Sequence, residues 1–492
     1  MKNIALVFLL VVLLALGLGV RMVDADKPPL DFMEIRQYRS LMLARALYFD
    51  SQENIAQERK EIAKINAEVE ETLEPTIAEH LTVMLYRVAG GERFWIPRLM
   101  SSLFWTIGGV FLYLIGKRLT TQWASIASVA IYLFLPPAVP MSRAFMPDPL
   151  MVMCTLISIF MILSWHETPS QKRLVLTAAI ASISLLVKIM AVFPVLFTFL
   201  AVYLHKHGLK IRRELLIFLA SALTLPGIYY IYGLFIAGFL KGQARMSFIP
   251  SLLVSKFFWS EWARMVTWLI GYSTLIPALL GIPLSKKGLP RATIIGLWLS
   301  YLAFCLVFHY HTPTHPYYSI MLVPIAALSI GAFAVPVIDR LSPVVREKKW
   351  LMVLTGLLAL GFYVNLIITL EGVRYNEMDD LKVKQAQKIG NLIGHTRRCI
   401  FLTRDNGVLL RYHGEISGMS WPCSWDLRLS EFQGGGESSA QNLLGKMKQE
   451  ADPLYFIVTD RQEFYSQNDL VDILHKHKSV TVDGAIVFYL KE

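Results

Sequence analysis

Carboxylates and cations cluster in this chain at the ends of apolar runs, where proton transfer and phosphate binding would meet water. The first cluster follows the N-terminal apolar run: Asp24, Asp26, then Pro28-Pro29-Leu30-Asp31-Phe32, then Glu34-Ile35-Arg36-Gln37-Tyr38-Arg39. A carboxylate placed directly after a membrane helix stands where lipid-borne substrates reach the aqueous face. A carboxylate in such a cluster has the chemistry of a general base, and the neighbouring guanidinium groups that of phosphate partners. A solvated, charged loop end is the simpler reading of this cluster taken alone, since charged loop residues are ordinary.

A second cluster reads Ser142-Arg143-Ala144-Phe145-Met146-Pro147-Asp148-Pro149. Asp148 opens an apolar run, so a carboxylate complementing the positive end of a helix dipole accounts for it in isolation. Lys188 lies between two apolar stretches. A snorkelling side chain and a functional ion at membrane depth are both open there. The stretch His309-Tyr310-His311-Thr312-Pro313-Thr314-His315-Pro316-Tyr317-Tyr318 carries three histidines, but no carboxylate or cysteine nearby completes a metal set. Aromatic residues at a membrane edge need no special account.

The elements that must position these groups are membrane helices. Hydrophobic residues make up 54% of the 492 positions and charged ones 17%, against roughly 25% in ordinary soluble domains. The formal charge of +11 falls in short clusters between apolar runs, which is a topology signal and not a nucleic-acid surface. The runs are Ile4–Val20, Ile96–Ile115, Trp123–Val139, Pro149–Trp165, Leu174–Val187, Met190–Leu204, Leu215–Ala237, Met265–Leu284, Ala292–Phe308, Tyr318–Val337 and Leu351–Leu370. The first is expected to stay as an uncleaved helix, being long for a signal core, although Val23-Asp24-Ala25 resembles a cleavage site.

Leu174–Leu204 would be too long for one span, and its flanks are both basic: Lys172 and Arg173 before, Lys206, Lys210, Arg212 and Arg213 after. Both flanks favour the cytoplasm, so the chain is expected to cross twice and turn near Lys188. Lys117/Arg118, Lys286/Lys287/Arg291 and Arg340/Arg346/Lys348/Lys349 fall in alternate loops by the same rule. About eleven helices follow, with the N-terminus inside and the C-terminus outside. Two outer segments exceed mere connectors. Residues 21–95 hold helical patterns at Glu34–Tyr48, Gln52–Glu71 and Thr76–Val88, with an amphipathic helix there lying along the membrane surface. Residues 371–492 read as a small α/β domain, with strands at Cys399–Leu402, Leu454–Val458 and Ala485–Leu490 and a hairpin at Asp483-Gly484. Helices are expected there at Asp379–Ile393 and Asp469–His475, and Gly434-Gly435-Gly436 reads as a flexible loop. Cys154 and Cys305 are expected to be packing residues, whereas Cys399 and Cys423 leave a disulfide open.

In combination these features resemble the GT-C class of integral-membrane glycosyltransferases, the superfamily of the protein O-mannosyltransferases and the lipid A aminoarabinose transferase. Pro28-Pro29-Leu30-Asp31 through Arg45, Glu74-Pro75 followed by Arg98-Leu-Met-Ser-Ser-Leu-Phe, and Arg143-Ala-Phe-Met-Pro-Asp148-Pro-Leu-Met carry the resemblance, with Lys188 and His315-Pro-Tyr-Tyr318 where similar residues recur. It covers about residues 1–370, which the resemblance makes the glycosyltransferase domain, with 371–492 as a periplasmic addition. Thr76 departs from a second proline, and the polar stretch Gln52–Glu71 is longer than the pattern. The acceptor is thereby left open.

The resemblance implies a bacterial inner-membrane enzyme whose donor is a polyprenyl-phosphate sugar and whose acceptor is a glycan, lipid or protein, with membrane lipids around it and no nucleic acid. Asp31 would take the acceptor's proton as its oxygen inverts the anomeric carbon, and Asp148 would orient the acceptor or share that role. Arg36, Arg143 and Lys188 would meet the phosphate, and Glu74, His315 and Tyr318 are further substrate-binding candidates. Cationic side chains suffice for the phosphate, so no cofactor is required, though a divalent ion is compatible. A transporter or flippase would show inverted repeats or broken segments near the midplane, and an envelope assembly protein would leave the aspartates dispensable.

Overall fold

A computed structural model describes residues 2–69, 73–247, 249–345, 348–427 and 439–491. The Gly434–Gly436 stretch lies outside them. The chain forms two compact units. The first comprises Met1–Asp26, Thr72–Ala78 and Arg93–Arg374; the second comprises Lys27–Glu71, Glu79–Glu92 and Tyr375–Glu492. Helices Glu34–Asp50 and Gln57–Val69 of the first outer segment thus share a unit with the tail. The division expected at residue 370 had grouped them with the membrane helices.

The first unit is helical, and its apolar helices make this a multi-pass membrane protein. Among the described residues seven are long and apolar enough to cross a bilayer, or eight if one bent pair counts as a span. The expectation was about eleven. The run at Trp123–Val139 forms a 13-residue helix, Gln122–Phe134, which at ~1.5 Å per residue reaches only about 20 Å of a ~30 Å core. Pro136 and Pro137 follow its end. The run at Leu174–Val187 forms a 17-residue helix, Gln171–Val187.

Lys188 breaks the chain as the charge pattern requires. Its backbone is extended (φ −162°, ψ 127°), a 3-10 turn Ile189–Ala191 follows, and a new helix runs Val192–His207. The run Met265–Leu284 differs from expectation. It is split between helices Lys256–Ile270 and Tyr272–Leu284, which meet at 97°. Gly271 makes the corner at φ 68°, a left-handed conformation open to glycine. Further along the second helix, Gly281 passes so close to Leu322–Val345 that a Cβ would overlap the Ser329 carbonyl. Small residues permit this kind of backbone approach between membrane helices.

The second unit is an α/β fold. Strands β1 (Cys399–Leu402), β2 (Gly418–Ser420), β3 (Tyr455–Val458), β4 (Ser479–Val482) and β5 (Ala485–Tyr489) lie in the order β2-β1-β3-β5-β4. The first three are parallel, whereas β5 runs antiparallel to β3 and to β4. Asp483 and Gly484, at φ 44° and 87°, turn the expected hairpin with Val482 opposite Ala485. One sheet face buries Ile400, Phe456 and Phe488 under Leu444, Phe464 and Leu470. The other buries Cys399, Phe401 and Ile457 under Ala386, Ile389 and Leu410. Cys399 and Cys423 are both free thiols, Cys399 inside the sheet and Cys423 donating to Asp426 at 3.0 Å. Burial pushes the Cys399 thiol up.

Within this unit the two loop helices are fastened to the tail by polar contacts. Tyr38 Oη meets His413 Nε2 at 2.6 Å. The Arg45 guanidinium lies 3.5 Å over the Tyr412 ring and pairs with Glu92 at 3.0 Å. Arg59 Nε donates to Glu415 at 2.7 Å, and Asn66 donates to the Ile416 carbonyl at 3.0 Å. Burial, seconded by the Arg45 charge, holds His413 down at about 3. For Glu415 burial acts upward, but the Arg59 hydrogen bond and neighbouring charges outweigh it and hold the carboxyl below its usual range.

Candidate active site

The first unit gathers one buried ion cluster beside a cavity. Asp148 heads the helix Asp148–Glu167, and Lys188 sits where Gln171–Val187 ends. Those two helices pack together, which brings residues 40 positions apart into contact. Lys188 Nζ donates to both Asp148 oxygens, at 2.9 and 3.0 Å, and each side chain is only 1% exposed. Glu74 Oε1 stands 3.9 Å from the same ammonium. The Tyr317 and Tyr318 rings lie 4.9 and 5.2 Å from it, within cation–π range. Lys188 therefore does not snorkel to water; its charge is held inside by carboxylates and aromatic faces.

Lys188, Glu74 and Tyr318 line a cavity of about 300 Å³ whose remaining wall is mostly apolar, including Met190, Leu234 and Phe308. An ammonium has three N–H donors, and the one that the two Asp148 oxygens leave can receive the charged head of an amphiphile whose chain lies on the apolar wall. Behind Tyr318, His311 stacks at 4.6 Å and meets Ser247 Oγ through Nε2 at 2.9 Å. His309 Nε2 accepts from the Ile249 amide at 2.6 Å, and its Nδ1 lies 3.0 Å from the Leu306 carbonyl. This pattern suits a ring protonated on Nδ1.

Arginines organise the segment after the first helix. Arg21 is fully buried, donating to Ser142 Oγ and the Gly17 carbonyl, each at 2.7 Å. Arg98 donates to the Asp24 carbonyl at 2.9 Å and Arg143 to the Val23 carbonyl at 2.6 Å. In the second unit, Gln37 donates to the Phe32 carbonyl at 2.5 Å and fixes the turn that carries Asp31.

Residues 74–232 match the family model described as dolichyl-phosphate-mannose-protein mannosyltransferase, a segment that contains Glu74, Asp148 and Lys188. No curated protein sequence matches the chain. Among solved structures, ArnT from Cupriavidus metallidurans bound to undecaprenyl phosphate is similar at a TM-score of 0.61 and 12% identity, over 99% of this chain and 97% of that one. Its apo form gives 0.60 and 13%, over 99% and 98%. The apo oligosaccharyltransferase of Archaeoglobus fulgidus gives 0.55 and 10%, over 96% of this chain and 73% of that one.

This chain has the GT-C fold.

Of the residues singled out from sequence, the GT-C helical unit brings Glu74, Asp148, Lys188 and Tyr318 together. His315 stands next to them, its ring centroid 5.8 Å from that of Tyr318. Arg143, expected at a phosphate, is fully buried and directs one arm to backbone. Asp31 and Arg36 belong to the second unit, where both are half-buried. Sequence reasoning missed as candidates the cavity residues Tyr230 and Ser247, and Tyr317, whose ring lies by Lys188. Tyr317 was within reach as the neighbour of Tyr318. Tyr230 and Ser247 had no signal, one lying in an apolar run and the other among ordinary loop residues.

Proposed function

We propose that this protein is an inverting glycosyltransferase that moves a sugar from a polyprenyl-phosphate carrier to a glycan, lipid or protein acceptor at the outer face of a bacterial inner membrane. Its N-terminus is cytoplasmic and its tail periplasmic. The observation that carries the proposal is the buried Lys188 ammonium, held by Asp148 and Glu74 at the wall of a largely apolar cavity. The GT-C fold, the match at residues 74–232 and the undecaprenyl phosphate of the similar ArnT structure support the same reading.

By the resemblance of its segment, Asp31 is assigned the proton of the acceptor hydroxyl, and the hydroxyl oxygen attacks the anomeric carbon from the face opposite the phosphate. The bond from that carbon to the phosphate oxygen breaks, and the lipid phosphate leaves as an anion beside Lys188. Stabilising charge that develops on a leaving group is where such a fixed cation acts most strongly. Asp148 serves as the counter-ion that aims Lys188, because a hydroxyl would have to displace the ammonium to reach it. Arg143 and Arg98 position the chain after the first helix, and Arg36 remains a phosphate candidate. The scheme calls for no cofactor.

The test supplies membranes carrying wild type, Asp31→Asn or Asp148→Asn with radiolabelled polyprenyl-phosphate sugars and an envelope extract. Label should move with wild type and stop with Asp31→Asn at equal protein level. Label that still moves with Asp31→Asn would take the base away from Asp31, and no transfer from any donor would sink the enzyme reading.

A further inference from the structure

The second unit holds a crevice of about 290 Å³ that the transfer scheme does not use. It opens where β1 and β3 end: Arg404 and Asp405 follow β1, and Thr459 and Asp460 follow β3. The helix after β1, Val408–His413, lies on one sheet face through Leu410, and those after β3 lie on the other through Phe464 and Leu470. Chain connections therefore diverge between β1 and β3. In open α/β sheets, divergence at the carboxyl ends of parallel strands forms a binding crevice. At about 290 Å³ the crevice matches the small end of ligand pockets, roughly 300–1,000 Å³.

Its chemistry selects against anions. Glu34, Asp405 and Asp460 face the same space as Arg404 and Lys382, and Lys382 is paired with Asp379 at 2.8 Å. The backbone amides that would cradle a phosphate are taken by carboxylates. Asp405 accepts from the amides of Gly407 and Leu409 at 3.1 and 3.0 Å, and Asp460 from that of Glu463 at 3.0 Å. What the crevice presents is alternating acceptors and donors over an apolar patch of Ala386 and Leu409. Hydroxyl groups donate and accept at once, so a polyol answers both signs while its C–H face meets the patch.

We propose that this crevice binds an uncharged saccharide, the glycan portion of the acceptor. That this saccharide belongs to the acceptor rests on the glycosyltransferase reading. The test uses the full chain in detergent micelles, with saturation-transfer NMR on neutral oligosaccharides released from bacterial envelope glycan and, separately, competition by inorganic phosphate. Wild type should transfer saturation to the oligosaccharide. Arg404→Ala, at an exposed position, should weaken binding about tenfold, the scale of one charge-assisted hydrogen bond. Thr459→Trp, which fills the crevice, should remove the signal. Both variants should keep donor-lipid turnover, and in the transfer assay should raise the acceptor KM more than they lower kcat. Equal saturation in wild type and both variants, or displacement of the sugar by phosphate, would overturn the site. A saccharide signal that obeys the variants in a protein that turns over no donor would uphold the crevice while sinking the transferase reading.

Discussion

Two charge clusters in this molecule set cations against carboxylates and tyrosine rings to opposite ends. In the membrane unit, Lys188, Asp148 and Glu74 border a cavity of about 300 Å³ with tyrosines at its edge. In the second unit, Arg45 and Arg59 with Glu415 border a gap of about 10 Å³, room for a single water at most. Arg45 is covered by the Tyr412 ring and its charge answered by Glu92. A cation held by carboxylates and a tyrosine ring thus does not by itself mark a reactive site. Space beside the charge, shaped for an amphiphile, separates a cation that can receive a ligand from one that closes a joint.

Removing the cation from each cluster should have opposite consequences. Lys188→Met should lower sugar transfer by roughly 10²–10³-fold, the effect of removing one electrostatic stabiliser of a transition state. The same change takes the buried cation away from Asp148 and should cost stability, so Lys188→Met with Asp148→Asn should regain the fold without the activity. Heat resistance and label transfer, measured on both, separate the two effects. Arg45→Met should do the reverse. It removes the partner of Glu92 and should destabilise the second unit by roughly 1–3 kcal/mol, seen as faster proteolysis of the tail, while transfer per folded molecule persists.

A pH effect sharpens the contrast. His413 is held down to about 3 from an unfolded value near 6.5, so below 6.5 the unfolded chain binds a proton that the folded chain refuses. Its neutral form contributes stability that is complete above pH 6.5 and lost as pH falls towards 3. Between pH 7 and 5 the second unit should lose about 2 kcal/mol, and His413→Gln should flatten that slope in thermal melts. A smaller effect is expected at Tyr317. Replacing it with Leu removes one ring from Lys188 and should raise the donor KM roughly fivefold.

Much of the architecture was legible because local rules act strongly on it. Basic flanks on both sides of Leu174–Leu204 placed a turn at Lys188, and Asp483-Gly484 announced its hairpin before any contact was known. Strand β2 escaped notice because Gly418-Met419-Ser420 is too short to show an alternation. The corner at Gly271 was hidden by the largely apolar character of Met265–Leu284, where isolated glycines are tolerated. In the site, the residue types at 74, 148, 188 and 318 stood out, but the Lys188–Asp148 pairing did not. It arises from two helices packing side by side, and nothing local in either sequence states that register. The same holds for Arg143, whose backbone target at Val23 is 120 residues away.

The most direct test of the account is whether Lys188 receives the phosphate of the carrier lipid. Thermal unfolding of the purified full chain would be followed with increasing polyprenyl phosphate, for wild type and for Lys188→Met with Asp148→Asn. A ligand that binds the folded state raises its stability in proportion to the logarithm of its concentration. The midpoint should rise for wild type and stay flat for the double variant. Equal stabilisation of both proteins would contradict this and remove Lys188 from the binding of the donor.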